Sequence, residues 1–240
     1  MRTVCFVGDS MVRGWDMPAE DAWPARVIAA ETRRGHPAEG FNLGIAKDTT
    51  RAIGRRWQHE AVGRLASALA AHRARAGLVF AFGLDDMADF GGDGIRVALP
   101  DALDQAEQII AAATAWAPTL WIGPPPLACL PRIIGRPDGL VYPAERSEAL
   151  AGAYRGIARR LGVPFLDLHG LLRASPHWRR AMARWQAGRP APELHDMVTQ
   201  AVLGWEAWSA WWGRSATAAP PIRTVAAGFR PLRVEAGRLV

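Results

Sequence analysis

The chain has 240 residues, of which half are apolar and 22% charged, with 29 basic side chains against 23 acidic ones. That balance excludes a disordered or collagen-like chain, and the length allows one large domain or two small ones. No run nears the roughly 18 uninterrupted apolar residues that cross a bilayer, and Thr3-Val4-Cys5-Phe6-Val7 is too short for an export signal, so a cytoplasmic protein without membrane contact is expected. Short apolar runs then alternate with longer helical patterns, the mark of βαβ units. The strands are expected at Thr3–Val7, Gly40–Leu43, Leu78–Phe82, Thr119–Ile122 and Val163–Leu166, each followed by a turn residue such as Gly8, Gly44, Gly83, Gly123 or Asp167. Helical spacing fills Ala22–Arg34, Thr50–Ala76, Leu103–Trp116 and Ala144–Leu161. Ser175-Pro176 opens a further helix through Trp185, and Val198–Trp212 reads as the last. The expectation is α/β: a doubly wound, mostly parallel five-stranded sheet in a flavodoxin-like three-layer arrangement over residues 1–214. A tail, 215–240, is expected to pack on the domain or on a partner.

The net charge of +6 comes almost wholly from arginine, since Lys47 is the only lysine. The arginines fall in pairs on helix faces, so no nucleic-acid partner is expected. Cys5 and Cys129 are too few for a disulfide framework or a zinc site, and the six histidines lack metal-binding spacing, so neither metal nor cofactor is expected. Four tryptophans, Trp205, Trp208, Trp211 and Trp212, recur at helical spacing, as do Trp178 and Trp185. They read as core faces, with a pocket wall or a dimer interface as the functional alternative. Pro124–Pro143 is a long aperiodic connection after the fourth strand, where loops line ligand crevices in open parallel sheets.

Gly8-Asp9-Ser10 follows the first strand directly, and a serine there can present its hydroxyl and its backbone N–H at the open edge of the sheet. Asn42-Leu43-Gly44 ends the second strand, Gly83-Leu84-Asp85-Asp86 the third, and His195 comes late. This block order resembles the SGNH (GDSL-type) hydrolases. There the named residues are a Ser in Gly-Asp-Ser, a Gly, an Asn in Gly-x-Asn-Asp and a His in Asp-x-x-His. The resemblance runs from residue 3 to about 212 and is carried by CFVGDSMVRGW (5–15), NLGIAKDTTRAIGRRW (42–57) and VPFLDL (163–167 and the next residue).

The resemblance implies a serine ester hydrolase working through an acyl-enzyme on a small ester, thioester or O-acetyl group. Ser10 would be the nucleophile, His195 the base within hydrogen-bond reach of it or one water away, and Gly44 and Ser10 N–H groups the oxyanion donors, with Asp9 among the oxyanion and substrate contacts. Two positions depart from the pattern. Asp85 stands where the family has an amide donor: ionised, it would repel an oxyanion and Asp85→Asn would raise turnover; held protonated, it would serve as a donor. Pro192 stands where the family has the aspartate that orients histidine, with Glu193 the nearest substitute and Asp196 the other neighbour. A Ser-His-Glu triad, a Ser-His dyad and a binding protein without turnover all remain open. Asp167 and His169 are a rival acid–base pair, more simply a strand-end acid and a loop histidine.

Overall fold

The computed structural model describes residues 1–15, 17–89, 94–127 and 140–213, and the backbone of 234–235 and 238–239. Five strands form one parallel sheet: β1 (Arg2–Gly8), β2 (Ala38–Gly44), β3 (Ala76–Ala81), β4 (Thr119–Ile122) and β5 (Phe165–Leu166). Their order is β2-β1-β3-β4-β5. The apolar runs of β1 and β3 are buried on both faces, as central strands of a covered parallel sheet must be, whereas the more polar β2 is a half-exposed edge. All five are parallel, so the doubly wound reading holds without its antiparallel allowance.

The first crossover runs from β1 out to β2, and the later ones run the opposite way. With right-handed crossovers, that reversal sends α2 (Trp23–Arg33) to one face, and α3 (Thr50–Ala71), α4 (Leu99–Trp116) and α5 (Ala144–Leu161) to the other. Helix α3 lies against α4 and α4 against α5, while α2 packs with α8 (Glu193–Leu203). The helices form where the sequence has a buried stripe: Ile53, Trp57, Ala61 and Leu65 line one side of α3, and Ala102, Ala106, Ile109, Ile110 and Ala113 one side of α4. Aromatic rings knit these layers to the sheet, with Phe6 edge-on to Trp23 at 5.4 Å and Trp57 edge-on to Phe80 at 5.4 Å. Trp178, Trp185, Trp208 and Trp212 are buried, the core role their spacing suggested.

Several boundaries move. Helix α3 stops at Ala71 rather than Ala76, because His72 turns extended and its ring accepts the N–H of Ala74, starting a short 3-10 turn over Arg73–Arg75. The expected final helix is two: α8 ends at Gly204, and α9 follows over Glu206–Trp211. Because α8 begins at Glu193, His195 lies in a first helical turn rather than in a loop. Short helices α1 (Ser10–Arg13) and α6 (Leu168–Leu172) escape a periodicity search, and α7 (Pro176–Gln186) begins after the Ser175 cap as expected. A two-residue antiparallel ladder joins β6 (Val234–Glu235) to β7 (Arg238–Leu239). The rest of the expected tail, Cys129 and much of the Pro124–Pro143 connection lie outside the described residues.

At the reversal between β1 and β3 the two strands approach closely. A Cβ on Gly8 would lie 1.8 Å from the Ala81 carbonyl oxygen and 2.5 Å from a Val12 methyl. Gly8→Ala should therefore destabilise by about 2 kcal/mol or more, since backbone, not a flexible side chain, must move. A thermal melt would show a Tm lower by roughly 4 °C or more, and an unchanged Tm would contradict the close approach.

Candidate active site

The strand reversal puts the ends of β1 and β3 at one crevice, where ligands bind in open parallel sheets. Asp9 caps α1: Oδ1 accepts the N–H of Met11 and Oδ2 the N–H of Leu84, both at 2.9 Å. The expectation put Asp9 among the substrate contacts; both its oxygens instead tie the turn after β1 to the turn after β3. Burial, and then the neighbouring Asp85, push its carboxyl well above the usual range. Ser10 is the first residue of α1 and is 7% exposed. Its Oγ accepts the N–H of Lys47 at 2.8 Å, and its own N–H donates to Asp85 Oδ2 at 3.2 Å.

Gly44 does not present its N–H at this point. That group donates to Asn42 Oδ1 at 3.0 Å, while Asn42 Nδ2 donates to the Val12 carbonyl at 2.8 Å. A Cβ at Gly44 would lie 2.1 Å from the Arg13 nitrogen, so the glycine lets α1 sit against β2. The backbone donor aimed at Ser10 belongs to Lys47, which adopts a left-handed φ of 67°. Arg96 holds that loop from behind, donating to the Lys47 carbonyl at 2.8 Å and to the Asp85 carbonyl at 3.3 Å. Arg56 holds it from the other side, pairing with Asp48 at 2.7 Å and reaching the Gly8 carbonyl at 3.0 Å. The left-handed residue in NLGIAKDTT was the missed signal, invisible because it is not a glycine.

Asp85 is fully buried. Besides the Ser10 N–H on Oδ2, its Oδ1 accepts the Tyr142 hydroxyl at 3.0 Å. Arg96 stands 3.7 Å from that oxygen. Burial raises the Asp85 pKa, and the bonds from Ser10 and Tyr142 and the charge of Arg96 only partly offset it. Asp86 turns the other way, accepting the N–H and hydroxyl of Thr50 at the start of α3, and burial raises its pKa to about 6. Tyr142 comes from the proline-rich connection after β4, where the sequence promised a crevice wall but named no residue.

His195 is wholly buried, and its ring is engaged on both sides by main chain. Nδ1 accepts the N–H of Trp23 at 3.1 Å, which leaves the proton on Nε2, donated to the Gly14 carbonyl at 3.0 Å. The ring thus caps the start of α2 and the end of α1 together, packed against Trp15 at 4.9 Å. Ser10 and His195 share no hydrogen bond here, and the tautomer is the reverse of one whose Nε2 takes a serine proton. Glu193 does not hold the ring either: two residues apart on a helix, the side chains diverge, and Glu193 pairs with Arg184 at 2.7 Å. Asp196 pairs with Arg26 at 2.6 Å. Burial, then Arg26, lower the His195 pKa to about 4.

Of the rival pair, Asp167 caps α6 through the Gly170 N–H at 2.9 Å and pairs with Arg155 at 2.6 Å. Among the described residues no cluster of three or more His, Cys, Asp or Glu side chains could hold a metal ion, and no helix is long and apolar enough to cross a membrane.

Residues 6–195 match the GDSL-like Lipase/Acylhydrolase family. No individually curated protein matches. Among solved structures, a lipase/acylhydrolase from Enterococcus faecalis superposes with a TM-score of 0.64 at 18% identity, over 84% of this chain and 93% of that one. LAE5, an alpha/beta hydrolase enzyme from the metagenome of Lake Arreo, Spain, gives 0.61 at 17% identity, covering 84% and 93%. A mutant of Axe2, an acetyl-xylooligosaccharide esterase from Geobacillus Stearmophilus, gives 0.60 at 13% identity, covering 84% and 92%. Likeness at these identities establishes a shared fold.

The His195 geometry has a measurable consequence. The folded pKa of about 4 lies below the ordinary 6.5, so the unfolded chain binds the proton first as pH falls. Stability from this residue is therefore complete above pH 6.5 and is lost toward pH 4, by about 2 kcal/mol at pH 5. His195→Gln should be less stable than wild type at pH 7, having lost a double cap, and that gap should narrow at pH 5. Urea midpoints of both proteins at the two pH values check this; a constant gap would place the ring in contact with solvent.

Proposed function

Because the chain belongs to the GDSL-like lipase/acylhydrolase family, we propose that it is a carboxylic ester hydrolase in which Ser10 attacks the acyl carbon and carries the acyl group as an acyl-enzyme. The observation that supports this most is the setting of Ser10 itself. It stands at the carboxyl end of a central strand, opens a helix, and has a backbone N–H, that of Lys47, aimed at its hydroxyl. As Oγ bonds to the acyl carbon it gives up that N–H, which can then turn to the carbonyl oxygen as charge develops there. The Ser10 N–H is the second donor, once Asp85 releases it.

The substrate is a small ester, thioester or O-acetyl group. A second reading, a binding protein on this fold without turnover, is favoured by one observation: both ring nitrogens of His195 are spent on main-chain groups.

A fluorophosphonate probe separates the two. The hydrolase reading expects stoichiometric labelling that peptide mapping assigns to Ser10 and that Ser10→Ala abolishes. An unlabelled, folded wild type that still binds short-chain esters would establish the binding protein instead.

A further inference from the structure

The Ser10 hydroxyl has one proton to place. Its oxygen already accepts the Lys47 N–H, and the carboxylate beside it is that of Asp85, whose Oδ2 takes the N–H of the same serine at 3.2 Å. On its other oxygen that carboxylate takes the Tyr142 hydroxyl at 3.0 Å, so a donor on each oxygen fixes its position. His195 has no nitrogen free to compete.

We propose that Asp85 is the general base of the Ser10 reaction, with Tyr142 as the residue that positions it. The inference rests on the hydrolase reading. As Oγ bonds to the acyl carbon, the Oγ–H bond breaks, the proton passes to an Asp85 oxygen, and the carbonyl electron pair moves onto oxygen. When the tetrahedral adduct collapses, that pair re-forms the carbonyl, the bond to the alcohol breaks, and the departing alkoxide takes the proton from Asp85. Water then gives a proton to Asp85 as its oxygen attacks the acyl carbon, and Ser10 reclaims the proton on leaving.

This route removes the conflict an acid at the oxyanion edge would cause. At the moment negative charge forms on the carbonyl oxygen, Asp85 has just become neutral. It no longer repels the oxyanion, and, being a weaker acceptor, it loosens its hold on the Ser10 N–H. Burial supports the role by raising the proton affinity of the carboxylate. The groups that face it are the hydroxyls of Ser10 and Tyr142 and the cation Arg96, which favour the ionised form, and the acids Asp9 and Asp86, which oppose it.

The sign of the pH dependence follows. A base must be ionised, so kcat/KM should rise with pH through the Asp85 pKa and then level; a neutral Asp85 serving only as a donor would make it fall. The test is the pH–rate profile on a short-chain aryl ester for wild type, Asp85→Asn and Tyr142→Phe, with Ser10→Ala as background. Asp85→Asn should lose about 100-fold or more. Tyr142→Phe removes a donor to the ionised carboxylate, so its rising limb should move to higher pH and its plateau should fall, the carboxylate being less firmly placed. If Asp85→Asn fails to fold, the position of that limb decides alone. Ser10-dependent hydrolysis that falls with pH, that survives Asp85→Asn undiminished, or whose limb is unmoved by Tyr142→Phe overturns the assignment of Asp85 and leaves Ser10 standing. A wild type without Ser10-dependent hydrolysis overturns both.

Discussion

A single carboxylate with no exposure to water joins the two strand ends on which the crevice is built. Asp9 accepts one N–H from the turn after β1 and one from the turn after β3, and the Ser10 N–H, given to Asp85, ties the same turns from the other side. A buried acid with two good donors is stable where it stands, but removing either donor would leave an uncompensated polar group in a dry interior. The glycine before it has the complementary role, since strands with a larger residue at Gly8 would be held too far apart for the clamp to close.

Around that clamp lies a row of acids, Asp9, Asp85 and Asp86, all of them buried and all raised in pKa. They are not equivalent. Asp9 and Asp86 are saturated by backbone and hydroxyl donors of the scaffold: Met11 and Leu84 for the first, Thr50 for the second. Asp85 takes its donors from the crevice itself, the Ser10 N–H and the Tyr142 hydroxyl. Mutual repulsion disfavours three ionised carboxylates at such close quarters.

How much of this was legible beforehand differs from residue to residue. The order of strands and helices was, because apolar runs and helical stripes are local and the crossover rule converts them into a topology. Ser10 was legible because a serine directly after a central strand is placed by that topology alone. Asp85 was legible as an oddity, through comparison with the family pattern, but its partners were not. Tyr142 lies 57 positions away in an aperiodic connection, and Arg96 reaches two carbonyls that no side-chain pattern encodes. His195 shows the opposite failure. Its place in the block order pointed to the serine, whereas its ring orientation depends on Trp23 and Gly14, main-chain groups 172 and 181 positions away. Glu193 misleads for a related reason, since a helix beginning at that residue turns it away from the histidine two positions on.

The loop that carries Lys47 has a further property. Its residue is left-handed without being glycine, a conformation that costs on the order of 1 kcal/mol or more and lasts only where neighbours hold it. Here Ser10 holds the N–H and Arg96 the carbonyl. Because the chain contains no other lysine, the side chain of this strained residue is also its sole ε-amine, and it is exposed. Apart from the chain's own N-terminus, amine-selective chemistry therefore has one address in the whole molecule. A dye or spin label placed there would stand on the very peptide that touches the serine, turning a conformational necessity of the fold into a built-in attachment point for observing the crevice.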